Sequence, residues 1–306
     1  MSEATEVMEV DGREIEITHA DRELFPDDGF TKFDLAEYYR RISDVAVPHC
    51  RDRALTMQRF PDGIEEEGFF QKAAPDHFPE WIRTAKLKKE GGSITHVVAN
   101  DAATLVYLAN QGCITPHLSL FRIDDVAHPD RMIFDLDPSD DDFGKVRRAA
   151  RRVKALLDEL KLETFLQTTG SRGLHVVVPL ERRHSFDQTR DFARRVGEVL
   201  EARFPKEMTV AQRKEKRGNL VFIDYLRNAY GQTAVAAYAV RAKSGAPVAT
   251  PIDWEELDSS ELDARSYNIE NIFRRLGRKR DPWAEMDEHA QTLGKAEKRL
   301  RDLEKD

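Results

Sequence analysis

Arg131-Met-Ile-Phe-Asp-Leu-Asp-Pro138 is the stretch on which the reading of this chain turns. It is a short apolar run closed by two carboxylates, Asp135 and Asp137, and then a proline. Side chains alternate across a β-strand, so residues i and i+2 share a face. Both carboxylates then project side by side. Like charges at that spacing repel unless a cation bridges them or water screens them. Taken alone, the motif equally describes a strand that ends in a solvated acidic loop. Asp140, Asp141 and Asp142 follow as ordinary helix-capping residues.

The flanking pattern supplies a fold. Val146, Ala149, Val153, Leu156, Leu157 and Leu160 recur at helical spacing, with Arg147, Arg148, Arg151 and Arg152 off that stripe. A strand is expected over 163–168, a tight turn at Gly170-Ser-Arg-Gly173 and a strand over 174–180. A second amphipathic helix follows over about 186–204, then strands over 219–225 and 233–241. The order β-α-β-β-α-β predicts an α+β fold, with a split βαβ sheet and helices on one face.

Upstream, residues 1–30 read as an irregular or short β entry, with a turn at Pro26-Asp-Asp-Gly29. Thr31 is placed as the N-cap of a helix carrying Phe33, Ala36, Tyr39, Ile42 and Ala46. Strands are expected over 54–60 and 94–99 and a helix over 102–111; Phe69-Phe-Gln-Lys72 precedes a proline-containing loop. The tail from about 268 reads as helical and charged, with Trp283 as a packing anchor.

The chain has 306 residues, 40% hydrophobic and 34% charged, with a formal net charge of −8. No apolar run approaches the roughly 20 residues of a membrane span, and the acidic N-terminus has no signal-peptide pattern. Two cysteines, Cys50 and Cys113, exclude a cysteine-rich zinc module. The location expected is the cytoplasm, associated with the nucleoid. A negative net charge weighs only weakly against nucleic acid, because bases cluster at 145–154, 182–195, 213–217 and 274–280.

Two further elements bear on the acidic pair. Asp224 ends the apolar run Leu220-Val-Phe-Ile-Asp-Tyr225, matching the first pair in placement. A third carboxylate on a neighbouring strand would complete an oxygen-rich site for two Mg²⁺ or Mn²⁺ ions. Thr168-Thr-Gly-Ser-Arg-Gly-Leu-His175 sets two glycines around Ser171 and Arg172. Exposed N–H groups, a hydroxyl, a guanidinium and His175 in such a turn can cradle a triphosphate. Each piece has a plain structural alternative: a polar strand end, a hairpin turn, a half-buried histidine.

Together and in this order, the three elements resemble the catalytic motifs of the archaeo-eukaryotic primase superfamily. The match is closest to the polymerase domain of bacterial LigD, the end-joining repair enzyme, and its stand-alone relatives. The resemblance runs from about Ile15 to Trp283 and includes Ile17-Thr-His-Ala-Asp-Arg22, Leu24-Phe-Pro26 and Phe69-Phe-Gln-Lys72. It implies a primase-polymerase fold with a second, interlocked β-rich subdomain. The whole chain would be one catalytic domain: an N-terminal part to about 130 with DNA contacts, core motifs over about 131–245, and a C-terminal helical part over about 246–306.

The resemblance also implies roles. Asp135, Asp137 and Asp224 would hold two divalent ions. His117, Thr169, Ser171, Arg172, His175 and Arg241 would contact the incoming nucleotide. Thr169 stands where the family often has serine, and Gln58 where some relatives carry a base. Arg22 and Lys32 would grip a DNA 5′-phosphate, with Arg22 in place of a common lysine. Phe69 and Phe70 would stack on the template; without the family, core packing is their ordinary reading. Arg213, Lys214, Lys216 and Arg217 would meet the DNA backbone.

The implied activity is template-dependent primer extension with NTPs or dNTPs, filling gaps at 5′-phosphorylated breaks in non-homologous end joining, with ribonucleotides usable. No Lys-x-Asp-Gly adenylation motif occurs, so the chain is read as a polymerase module whose ligase, and Ku, are separate chains. Two other readings share these residues: a de novo primase, and a non-catalytic DNA-end-binding module.

Overall fold

The computed structural model describes residues 4–89 and 91–305. The backbone divides into two units, and the chain passes between them repeatedly. One comprises Met1–Asp124, Thr233–Ala249 and Tyr267–Lys279; the other comprises Asp125–Gln232, Thr250–Ser266 and Arg280–Asp306. Residues 246–306 are therefore shared between units, and they contain a strand as well as helices.

The first unit opens with β1 (Thr5–Val10) and β2 (Arg13–Thr18), an antiparallel hairpin. Its turn holds Asp11 and Gly12 at positive φ, as two-residue hairpins require. β3 (Glu23–Phe25) and β4 (Phe30–Thr31) form a second hairpin. The described part of the 1–30 segment is thus a short β entry of two hairpins joined by turns. α1 (Lys32–Cys50) starts where the sequence places it. The Thr31 hydroxyl accepts from the Asp34 N–H, and the Asp34 carboxylate accepts from the Thr31 N–H. Next come β5 (Leu55–Arg59), β6 (Phe69–Gln71), β7 (Thr84–Lys89), β8 (Gly92–Val97), α2 (Ala102–Asn110) and β9 (Cys113–Ser119). α1 packs on α2 through buried Leu35, Ala36, Tyr39, Leu105 and Leu108.

The second unit carries β10 (Arg131–Asp137), α3 (Phe143–Glu159), β11 (Phe165–Thr168), β12 (Leu174–Pro179), α4 (Phe186–Arg203), β13 (Met208–Thr209) and β14 (Val221–Asp224). The chain then returns to the first unit as β15 (Thr233–Val235) and to the second as β16 (Thr250–Ile252). α5 (Ile272–Leu276) belongs to the first unit and α6 (Gly294–Leu303) to the second.

The second unit's sheet runs β13-β14-β10-β12-β11-β16, antiparallel throughout except for the parallel β13–β14 pair. Its core is the expected split βαβ unit, in which β12 is inserted between parallel β10 and β11. One face presents Met132, Phe134, Leu136, Leu166, Leu174, Val176 and Ile223, all fully buried. α4 lies over this face: Ile223 is 3.9 Å from the point where Gly197 would carry a Cβ. α3 packs on the sheet and on α4 through Val146, Ala149, Val153, Leu156 and Leu157. Each such leucine contributes about 1.5–3 kcal/mol on burial. The opposite face is left for Gln167, His175, Asp135, Asp137 and Asp224. Trp283 is the expected anchor: it is buried, and its indole N–H donates to the Leu166 carbonyl at 3.1 Å.

The first unit's larger sheet runs β15-β9-β5-β8-β7, with β6 paired to β5. This corrects the strand expected over 233–241. Within that range Val240 makes a separate antiparallel bridge to Val248, and the strand is Thr233–Val235 alone, pairing with β9 outside the central sheet. Beyond it Tyr238 takes a φ of 63°, which turns the backbone out of the ladder. The tail is likewise less helical than expected, with α5 and α6 separated by turns and one short 3₁₀ segment. Among the described residues no helix is long and apolar enough to cross a membrane.

Candidate active site

The carboxylates are gathered by register. In the second unit's sheet Asp135 lies directly opposite His175 on one side and Asp224 on the other, and Gln167 lies opposite His175. Directly opposed residues share a face, so the four strands line up a row of polar side chains. Asp137 stands two residues on, on the same face.

A residue not singled out in the sequence completes the cluster. Arg227 Nε donates to Asp135 Oδ2 at 3.0 Å and lies 3.4 Å from Asp224 Oδ2. It sits on a short 3₁₀ turn, Leu226–Asn228, after β14. That turn is fastened to β10 by Asn228, whose Oδ1 accepts from the Ile133 N–H and whose Nδ2 donates to the Ile133 carbonyl, both at 2.8 Å. Asn228 thus continues the ladder past the end of β14. The signal available in the sequence was a base three residues after a motif carboxylate.

The electrostatics follow from burial. It works to raise the Asp135 carboxyl, but the His175 imidazole, 3.4 Å away, and Arg227 outweigh it and hold Asp135 below the usual carboxylate range. Burial, then the charge of Asp135, pushes Asp137 and Asp224 up. Burial opposes the Arg227 charge, but Asp135 and Asp224 raise its pKa further. The cluster is therefore short of positive charge. Among the described residues no three carboxylate, imidazole or thiol groups converge as a metal cage, and Arg227 bridges two of the three aspartates. The donor set itself fits a hard divalent cation: oxygen-only, with Asp135 buried and Asp137 and Asp224 half-buried, and with the latter two carboxyls pushed up.

The Gly170–Gly173 turn sits against this cluster. Gly170 takes a φ of 63°. A Cβ on Gly173 would meet the Leu136 carbonyl oxygen at 2.2 Å and Asp137 Oδ1 at 3.7 Å. Only glycine lets the turn approach β10 so closely. Thr169, expected to touch the nucleotide, applies its hydroxyl to the turn: it bonds the Gly173 N–H and carbonyl, each at 3.1 Å, and accepts from Ser171 N–H at 3.3 Å. Ser171 is half-buried and Arg172 exposed. Of the basic loop, Arg213, Lys214 and Lys216 are exposed. Arg217 is folded back, donating to the Ala211 and Gln212 carbonyls and stacking 3.5 Å over Phe222.

The first unit holds the other expected residues. Phe69 and Phe70 are 46% and 61% exposed on β6, so core packing does not account for them. Arg59 supports Phe69 from 5.5 Å, and Phe70 meets His117 edge-on at 5.4 Å. Gln58 lies opposite Phe70. The Thr115 hydroxyl donates to the Val240 carbonyl at 2.6 Å, which sets Arg241 beside β9, the strand bearing His117. Arg22 and Lys32 are brought together by a 2.8 Å bond from the Lys32 N–H to the Arg22 carbonyl. Arg22 also donates to Asp62 at 2.8 Å and to the Pro61 carbonyl at 3.0 Å, and Lys32 is buried.

Comparison with known proteins agrees with this geometry. The family described as "LigD, primase-polymerase domain" matches residues 31–283. The multifunctional non-homologous end joining protein LigD of Pseudomonas aeruginosa is 34% identical over 93% of this chain, and that of Mycolicibacterium smegmatis 33% over 90%. The bifunctional LigD of Bacillus subtilis is 30% identical over 88%. The chain spans 34%, 36% and 43% of those three proteins' lengths, respectively. The solved polymerase domain of Mycobacterium tuberculosis ligase D, in complex with DNA, superposes with a TM-score of 0.84 at 30% identity, covering 90% of this chain and 99% of that one. The chain belongs to the LigD primase-polymerase domain family.

Proposed function

We propose that the protein is a nucleotidyltransferase that extends a DNA primer on a template and fills short gaps at 5′-phosphorylated breaks in non-homologous end joining, with ribonucleotides accepted. The observation that carries this reading is the row of Asp224, Asp135 and His175 across adjacent strands, with Asp137 against the Gly170–Gly173 turn. The primer 3′-hydroxyl attacks the α-phosphate, and pyrophosphate leaves.

Asp135, Asp137 and Asp224 would hold two divalent ions, Mn²⁺ or Mg²⁺. When bound, such ions lower the pKa of the attacking hydroxyl and neutralise developing charge. Arg172, Ser171, His175, His117 and Arg241 bind the nucleotide's phosphates and sugar. Thr169 shapes the turn that presents Ser171 and Arg172. Phe69 and Phe70 stack on the template, and Arg213, Lys214 and Lys216 meet its backbone. Arg22 and Lys32 recognise the 5′-phosphate. A DNA ligase activity and Ku would act with it, in the cytoplasm at the nucleoid.

The test is gap filling on 5′-phosphorylated and unphosphorylated DNA, with ribonucleotides and deoxynucleotides compared. Asp137→Ala should abolish extension and leave DNA binding intact; full extension by that variant refutes the assignment. Arg22→Ala with Lys32→Ala should erase the preference for phosphorylated gaps. Synthesis without a supplied 3′-hydroxyl would favour a primase, and DNA binding without extension an end-binding module.

A further inference from the structure

Gln167, on β11, stands at the end of the polar row that runs Asp224, Asp135, His175 across the second unit's sheet. It is fully buried, and neither its Oε1 nor its Nε2 has a hydrogen-bond partner among the described residues. A buried amide with both ends unbonded is rare, because it sacrifices stability that an apolar side chain of the same shape would keep. Packing alone therefore does not account for a glutamine at this position.

Its surroundings on the sheet point to one partner. Across the ladder on one side is Pro251, whose side chain neither donates nor accepts. Along the strand, Phe165 lies two residues before it, and Thr169, two residues after, has its hydroxyl bonded into the Gly170–Gly173 turn. Across the ladder on the other side is His175. Directly opposed side chains start about 4.5–5.5 Å apart at Cβ, within reach of a glutamine amide. The buried His175 imidazole turns Nε2 toward Asp135 Oδ1 at 3.4 Å, which makes Nδ1 the nitrogen for a second bond. An amide carries both a donor and an acceptor, so it can serve Nδ1 in either tautomer. The strand is held on either side of Gln167: the Trp283 indole donates to the Leu166 carbonyl at 3.1 Å, and the Thr250 N–H donates to the Thr168 hydroxyl at 3.2 Å.

We infer that Gln167 is the positioning residue for His175: with nucleotide bound, its amide bonds imidazole Nδ1 and fixes the orientation of the ring. Hydrogen bonds of this kind are often long or poorly aligned in a free enzyme and tighten when substrate binds. The Asp135–His175 contact, at 3.4 Å, is itself long. A glutamine kept without a partner in the free protein thus stabilises the bound state at the expense of the empty one. The inference rests on the reading of His175 as a nucleotide ligand.

The test is titration of the whole chain with ATP, without DNA, for wild type, Gln167→Met, His175→Ala and the double variant. Gln167→Met keeps the length of the side chain and removes the amide, so its thermal unfolding should lie at or above that of wild type. Its ATP affinity should nevertheless fall about tenfold, the loss of one hydrogen bond. In the His175→Ala background the same substitution should change affinity by less than about twofold, because the amide acts through the imidazole. In primer extension the KM for nucleotide should rise with the lost affinity while kcat stays within about threefold. Wild-type ATP affinity in Gln167→Met overturns the proposal, and so does an equal loss in both backgrounds. A melting temperature well below wild type also overturns it, since the amide would then be holding the fold. Full ATP affinity in His175→Ala removes His175 as a nucleotide ligand and this inference with it, whereas a loss there with none in Gln167→Met sinks the inference alone.

Discussion

Gly173→Ala is the sharpest perturbation of this fold. The new methyl would sit 2.2 Å from the Leu136 carbonyl oxygen and 3.2 Å from its carbon, whereas ordinary contact begins near 3.4 Å. The obstacle is backbone in the central strand, not a side chain that can rotate, so the turn must retreat from β10 by about 1.2 Å. Leu136 and Leu174 are directly paired, and that retreat also strains the β10–β12 ladder. Overpacking of this kind costs about 1–3 kcal/mol, and a rigid obstacle puts the expected value near the top of that range. Function should suffer more than stability. The turn bears Ser171 and Arg172 and leads into His175, and a misplacement of about 1 Å costs on the order of 100-fold in rate. Urea unfolding would read the first effect and single-nucleotide gap filling the second. Gly218→Ala is the control. Its φ of 52° is unfavourable for alanine, but nothing lies within 4 Å, so it should cost about 1–2 kcal/mol from backbone conformation alone and leave the turn's contacts in place. If Gly173→Ala matched wild type in both assays, the close approach of turn to strand would be wrong.

Other expectations follow from single contacts. Arg227→Ala strips the guanidinium from Asp135 and Asp224 and should destabilise by about 2 kcal/mol, less than the full buried-pair penalty because Arg227 is part exposed. Thermal melts should then show Mn²⁺ stabilising that variant more than wild type; equal stabilisation would remove Arg227 as a stand-in for the cation. Asp62→Asn frees Arg22 from an exposed ion pair worth about 0.2–1 kcal/mol. It should tighten binding to 5′-phosphorylated ends modestly and leave unphosphorylated DNA unaffected, and a tightening on both would sink the assignment. Arg195 bonds Glu304 and Glu297 on α6. Its hydrogen bond lowers the Glu304 pKa from the usual 4.5, so the stabilisation is present above that value and is lost as pH falls through the lowered one. The stability gap between wild type and Arg195→Ala should therefore be widest near neutrality and close in acid; a gap that does not change with pH would mean packing, not charge, holds α6.

Much of this protein was legible in its residues. Strand 131–137 was placed to the residue, because its apolar run is bounded by a proline and an acidic loop. Helix starts at Thr31 and Ser185 are written as capping boxes. The motif order, with the carboxylates at strand ends, pointed to the family. Such features depend on neighbours within a few positions, where backbone stereochemistry and hydrophobic period act directly.

What only the tertiary structure decided are pairings across long separations. Asp135 faces both His175 and Asp224, and Arg227 bridges two aspartates that lie 92 residues and three residues away from it. Thr233–Val235 joins the other unit's sheet, and Phe69 and Phe70 are left outside the core. The Thr169 hydroxyl closes a turn that Gly173 presses against β10. Strand register and the direction of a guanidinium are settled by which distant surfaces must be buried together, and no local window of sequence carries that sum.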